Sequence, residues 1–176
     1  VDALAAECKK EGIGFGLYYS LWDRKENPLT KEPSGDVKYN EYMLKQIEEL
    51  MIIAGKHGPI IELWLDGSWE KPNARWPLKE IYACVKKYQP SCQVGVNWTI
   101  GSPDAIDKMC LPENQKDGFP FRFYPSEFRL GDPYLPADPD PKVFANEGKR
   151  YYMPFETTVC LGKKWFYSTV EDPYKS

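Results

Sequence analysis

The stretch that most constrains the fold is Ile60-Ile61-Glu62-Leu63-Trp64-Leu65-Asp66-Gly67, an apolar run that stops at an acid followed by a glycine. It is too short for a helix and carries no 3.6-residue period, so it reads as a buried strand with the acid at its C-terminal end. Side chains alternate across a strand. Ile61, Leu63 and Leu65 fall on one face, and Glu62, Trp64 and Asp66 on the other. In a parallel sheet the first set packs on helices and the second faces the opposite side. The expected setting is a barrel strand whose inner face ends in a carboxylate at the mouth, where such folds keep their chemistry.

The same parity split recurs along the chain. Residues 13–20 place Ile13, Phe15, Leu17 and Tyr19 on one face and Gly14, Gly16, Tyr18 and Ser20 on the other, as a crowded interior requires. Residues 93–98 form a third strand with Asn97 at the mouth, and residues 151–157 a fourth with Glu156 there. Between them lie a helix tail over 1–11 closed by Gly12, a polar loop over 21–38, and a helix over 39–53 with Tyr39, Met43, Ile47, Leu50 and Ala54 on one stripe. A further helix from about Pro77 to Tyr88 turns Leu78, Ile81, Val85 and Tyr88 inward. Strand-helix alternation implies a parallel sheet with right-handed crossovers.

An eight-stranded barrel takes about 250 residues. With 176 residues, the expected architecture is α/β, a partial (β/α)8 TIM barrel of about four βα units with a long Pro-rich loop. Residues 1–176 then form part of a single catalytic barrel domain truncated at both ends. The loop runs over 99–150, where eight of the sixteen prolines forbid long helices and central strands.

The formal charge of −3, with lysines and glutamates interspersed, argues against a nucleic-acid partner, and no apolar stretch approaches membrane-spanning length. The five cysteines form no CxxC or metal-like cluster, no histidine stands at ligand spacing, and no cofactor or metal is called for. His57, the only histidine, falls in the turn before the central strand, on the barrel face opposite the chemistry.

Parity delivers a mouth lined by Tyr18, Asp66, Asn97 and Glu156, with Glu127 on a nearby loop. Two carboxylates among aromatics and neutral donors suit glycoside hydrolysis, in which one carboxylate attacks the sugar and another supplies a proton. Two competing readings are structural: an acid at a strand end caps the next helix, and Asp-Gly turns a β-hairpin.

Three segments then carry a resemblance. Gly16-Leu17-Tyr18-Tyr19-Ser20-Leu21, Glu62-Leu63-Trp64-Leu65-Asp66-Gly67, and Phe155-Glu156-Thr157-Thr158 with Trp165-Phe166-Tyr167 resemble the α-L-fucosidases of glycoside hydrolase family 29. The resemblance implies a (β/α)8 barrel followed by a β-sandwich, acting with retention on terminal α-L-fucose of glycans. It implies Asp66 as nucleophile, Glu127 within Tyr124-Pro125-Ser126-Glu127-Phe128 as acid/base with Glu156 as runner-up, and Tyr18 and Trp165 as contacts to the sugar ring. Retention asks for carboxyl groups about 5–5.5 Å apart, with Asp66 ionised and the acid/base protonated. A Glu127 carboxylate far from Asp66 transfers the acid role to Glu156.

The chain also departs from the family pattern. The histidine pair and tryptophan that grip the sugar have no counterpart after Val1, and Trp98-Thr99-Ile100 stands where an arginine is expected, leaving Arg122 or Arg129 as substitutes. The partners implied are a fucosylated glycan, the remainder of the barrel and a β-sandwich. The resemblance points to a secreted, periplasmic or lysosomal compartment. The alternative reading is a non-catalytic carbohydrate-binding or inactive fragment of a barrel hydrolase.

Overall fold

A computed structural model of the chain describes residues 1–23, 33–67, 74, 76–97, 126–130, 143–146, 149–152, 154–160 and 162. The elements run α1 (Asp2–Lys10), β1 (Phe15–Ser20), α2 (Pro33–Gly55), β2 (Ile60–Asp66), α3 (Leu78–Tyr88), β3 (Gln93–Val96), β4 (Arg129–Leu130), β5 (Val143–Asn146), β6 (Lys149–Tyr152) and β7 (Phe155–Glu156). Five strands form one parallel sheet in the order β1-β2-β3-β4-β7, and β5 and β6 pair antiparallel as a separate hairpin.

The helices form for ordinary reasons. Along α2, Tyr39, Met43, Ile47, Met51 and Ala54 recur at three- and four-residue spacing and are all buried. Burying each of the larger ones stabilises the fold by about 1.5–3 kcal/mol. The stripe passes through Met51 rather than the expected Leu50, which is only partly buried, because an unbroken four-residue step from Ile47 lands on Met51. The helix also begins at Pro33, earlier than the expected boundary, since proline fits the first helical turn, where its missing N–H costs nothing. In α3, Leu78, Ile81 and Val85 are buried, and Lys86 and Lys87 sit in the last turn, where cations complement the helix dipole. No helix among the described residues is long and apolar enough to cross a membrane.

One core lies between the helices and one face of the sheet, which contributes Ile60, Leu63, Leu65, Val94 and Val96. The expected parity fails at one place. Phe15 pairs with Ile60 and Gly16 with Glu62, so Ile61 is the extra residue of a bulge. Ile60 therefore takes the buried position at 1% exposure, and Ile61 is 50% exposed. Beyond the bulge the register Gly16-Glu62, Tyr18-Trp64 and Ser20-Asp66 restores the expected inner face.

The C-terminal half corrects the sequence reading twice. The stretch expected to be irregular contains β4, only two residues long and lying between Pro125 and Pro133, yet hydrogen-bonded in the middle of the sheet. The fourth strand expected over 151–157 is two elements: β6 belongs to the hairpin and β7 to the main sheet. Pro154, between them, cannot donate to a ladder, but its carbonyl accepts from Arg129 N at 2.8 Å and starts the pairing of β4 with β7. Within the described residues the sheet is open, with β1 and β7 at its edges. It is strongly curled: Trp64 Nε1 on β2 donates to Glu156 Oε1 on β7 at 3.1 Å, although β3 and β4 stand between the two strands.

Candidate active site

Three strands end together at one rim of the sheet. Leu21 N donates to Asp66 O at 2.7 Å and Asn97 N to Leu65 O at 2.8 Å, extending the ladders past the last paired residues. These bonds bring Tyr18, Asp66 and Asn97 into one cluster. Tyr18 Oη donates to Asp66 Oδ2 at 2.5 Å, and Asn97 Nδ2 donates to Asp66 Oδ1 at 2.9 Å. Each carboxylate oxygen has its own donor, so the group is oriented from both sides and its charge is stabilised by hydrogen bonds. Neither competing structural reading holds, because the side chain bonds Tyr18 and Asn97 rather than the start of α3, and β2 pairs in parallel with β1 and β3.

Gly67 makes the turn possible. Its φ is +78°, and a Cβ there would meet Ser20 Oγ at 2.9 Å, so the residue after the acid has to be glycine on both counts.

Trp64, two residues before Asp66 on the same face, connects the two ends of the site. Its ring stacks on Tyr18 with centroids 5.8 Å apart, and its indole N–H holds Glu156. Tyr18 is 61% exposed, so the pair presents an open aromatic surface between the two carboxyl groups. Strand parity already placed Trp64 on the inner face, but its reach across to β7 depends on the curl.

Glu127 is placed elsewhere. Its Oε2 accepts from Val94 N at 2.9 Å and pairs with Lys86 Nζ at 2.7 Å, and Tyr82 Oη donates to Oε1 at 3.4 Å. Lys86 and Tyr82 belong to α3, so the carboxylate lies on the helix side of β3, while Asp66 is held on the inner side. The contacts of Glu127 are thus with α3 and β3 rather than with the Tyr18, Asp66 and Asn97 cluster. The physical reason is local: Ser126 and Glu127 dock onto the edge of β3, with Ser126 Oγ accepting from Val96 N at 3.1 Å and Glu127 N donating to Val94 O at 2.8 Å. Alternation then sends Phe128 to the inner face, where a Cβ on Gly95 would overlap its ring.

Glu62, which sequence reasoning did not single out, lies on the inner face beside Glu156. Burial, with the Glu156 carboxylate adding to it, pushes its carboxyl up to about 7. Arg129 is buried with its guanidinium 5.6 Å from the centre of the Phe155 ring. His57 pairs with Asp2 at 2.7 Å, in the turn before β2 and away from the rim. Trp165 and Arg122 lie outside the described residues.

The alpha-L-fucosidase family model matches residues 1–176, the whole chain. The chain belongs to the alpha-L-fucosidase family. It is 28% identical to alpha-L-fucosidase 1 of Arabidopsis thaliana over 185 residues, covering 98% of this chain and 32% of that protein. It is also 28% identical to a putative alpha-L-fucosidase 1 of Oryza sativa subsp. japonica over 181 residues, covering 98% of this chain and 31% of that one. The chain thus spans about a third of the length of these family members. A crystal structure of a putative alpha-L-fucosidase from Bacteroides thetaiotaomicron superposes with a TM-score of 0.61 at 23% identity, over 97% of this chain and 35% of that one. At that identity the likeness concerns the fold, an α/β arrangement about a parallel sheet.

Proposed function

We propose that the protein containing this chain is a retaining glycoside hydrolase that releases terminal α-L-fucose from glycans, with Asp66 as nucleophile and Glu156 as general acid/base. The observation that carries this reading is the pair of donors, Tyr18 Oη and Asn97 Nδ2, fixed on the two oxygens of a carboxylate at a strand's C-terminal end. Asp66, held by two hydrogen bonds and ionised, attacks the anomeric carbon and forms a glycosyl-enzyme ester. Glu156 gives its proton to the departing oxygen. Water then attacks the anomeric carbon, displaces the Asp66 carboxylate and passes a proton to Glu156, which restores both groups. Tyr18 and Trp64 form an aromatic wall suited to an apolar edge of the sugar, and Asn97 helps to orient the nucleophile. Trp165 is assigned a contact to the sugar ring by family resemblance alone.

Glu127 is read as structural, tying α3 to β3 through Lys86 and the Val94 amide. The curled sheet is read as a portion of a (β/α)8 barrel and of a single catalytic domain. The remaining strands would complete the mouth, and the partners would be a fucosylated glycan, the rest of that barrel and a β-sandwich.

The test is hydrolysis of an aryl α-L-fucoside by the complete protein. Asp66→Asn should abolish turnover, and azide should partly restore it in Asp66→Gly. Glu156→Ala should slow a substrate with a poor leaving group far more than an activated aryl fucoside, and Glu127→Ala should show no such split. A complete protein that binds fucose without cleaving it would make the chain part of a carbohydrate-binding relic. A leaving-group split confined to Glu127→Ala would return the acid role to that residue.

A further inference from the structure

The inner face below the Asp66 cluster holds a cavity of about 210 Å³ lined by Ile61, Glu62, Gln93, Phe128, Phe155 and Glu156, together with Pro154. Two of these residues are acids and none is basic. Glu62 and Glu156 line it together, and Glu62 Oε1 is buried with no hydrogen-bond partner among the described residues. A buried carboxylate with a bare oxygen is far costlier than a buried carboxylic acid. Glu156 meanwhile accepts the Trp64 indole N–H on Oε1.

We propose that Glu62 is a positioning residue for Glu156, the two carboxyl groups holding one proton between them across this cavity and so keeping Glu156 supplied as an acid. The inference rests on the assignment of Glu156 as acid/base. Two carboxyl groups facing one cavity resist losing the last proton, because ionising both places like charges side by side. Among the described residues that line the cavity, none carries a positive charge to offset this. Gln93 on β3 is neutral and Phe128 apolar, the Cys92 thiol is pushed up to about 12 by burial, Asp66 lies further along β2 with Tyr18, and Arg129 on β4 is placed at the Phe155 ring. The upward displacement of the Glu62 carboxyl agrees with this geometry. In a turnover the proton that Glu156 passes to the leaving oxygen is returned by the attacking water, so the pair ends with the single proton it began with.

The experiment compares the complete protein with its Glu62→Gln and Glu156→Gln variants. Glutamine keeps the shape of Glu62 and removes a buried charge, and a melting temperature no lower than that of the parent confirms folding. In Glu62→Gln the basic limb of the kcat/KM profile on an aryl α-L-fucoside should move down by about one pH unit or more, with the low-pH plateau kept. An unmoved limb overturns the proposal. Carbon-13 NMR of glutamate carboxyls provides a reading independent of catalysis. The Glu62 signal should titrate near neutral pH in the parent, and in Glu156→Gln it should move part of the way down, burial holding it above the ordinary carboxylate range. Identical titrations with and without the partner overturn the shared proton. Undiminished hydrolysis by Glu156→Gln would remove Glu156 from the reaction, and Glu62's role with it, while the titration still reports whether the pair shares a proton.

Discussion

Asp66 lies between two donors from neighbouring strands, and each is open to a clean test. Tyr18→Phe removes only the phenolic oxygen that donates to Asp66 Oδ2. A hydrogen bond to a charged group contributes about 1.5–3 kcal/mol, so kcat/KM on an aryl α-L-fucoside should fall about 10- to 100-fold with the melting temperature nearly unchanged. A loss of stability with full activity would make the tyrosine a packing residue. Asn97, Tyr18 and Asp66 were all legible from strand parity, because alternation is a local rule that the backbone imposes on every strand. Glu127 was not, since parity says nothing about a residue that precedes a strand. Its position follows from docking against Val94 and Lys86, contacts made by residues far away in the chain.

At the level of elements, the sheet depends on a close approach that only glycine allows. Phe128 packs over Gly95, and an alanine there would overlap the ring. Gly95→Ala should therefore cost about 1–3 kcal/mol, read as a lower urea midpoint with an unchanged slope. An unaltered midpoint would mean that the ring moves freely. In α2, Ile47 is fully buried, and Ile47→Ala should cost about 2–5 kcal/mol by the same measurement. The helix was readable because its apolar stripe repeats every three to four residues. β4 was not readable, because two residues carry no period, and what makes them a strand is pairing with Val96 on one side and Phe155 on the other.

The whole molecule responds to pH through Glu62. Its carboxyl is ordinarily half-ionised at 4.5 and is raised to about 7 in the fold, chiefly by burial and then by Glu156. Between those two values the folded state holds a proton that the unfolded chain has released, so stability falls as pH rises through this window and levels off above it. The melting temperature of the parent should decline from about pH 4.5 to about pH 7 more steeply than that of Glu62→Gln. Parallel profiles would show that Glu62 titrates normally. The open edges at β1 and β7, with Ile13 and Ile61 exposed near the first, lead to a further expectation. The 176-residue chain expressed by itself should self-associate, as measured by light scattering, and a monodisperse monomer would show that these surfaces need no cover.

The sequence alone determined β1, β2 and β3, the two amphipathic helices, the inner and outer faces, and the acid at the end of β2, because period, parity and the stop at Asp66-Gly67 are properties of neighbouring residues. Tertiary structure decided the rest. A bulge at Ile61 reset which isoleucine is buried, the hairpin was separated from β7, and the curl brought Glu156 to Trp64 and Glu62 across two intervening strands. Those outcomes depend on contacts between segments tens of residues apart, where register and curvature choose the partner, and no local pattern in the chain encodes that choice.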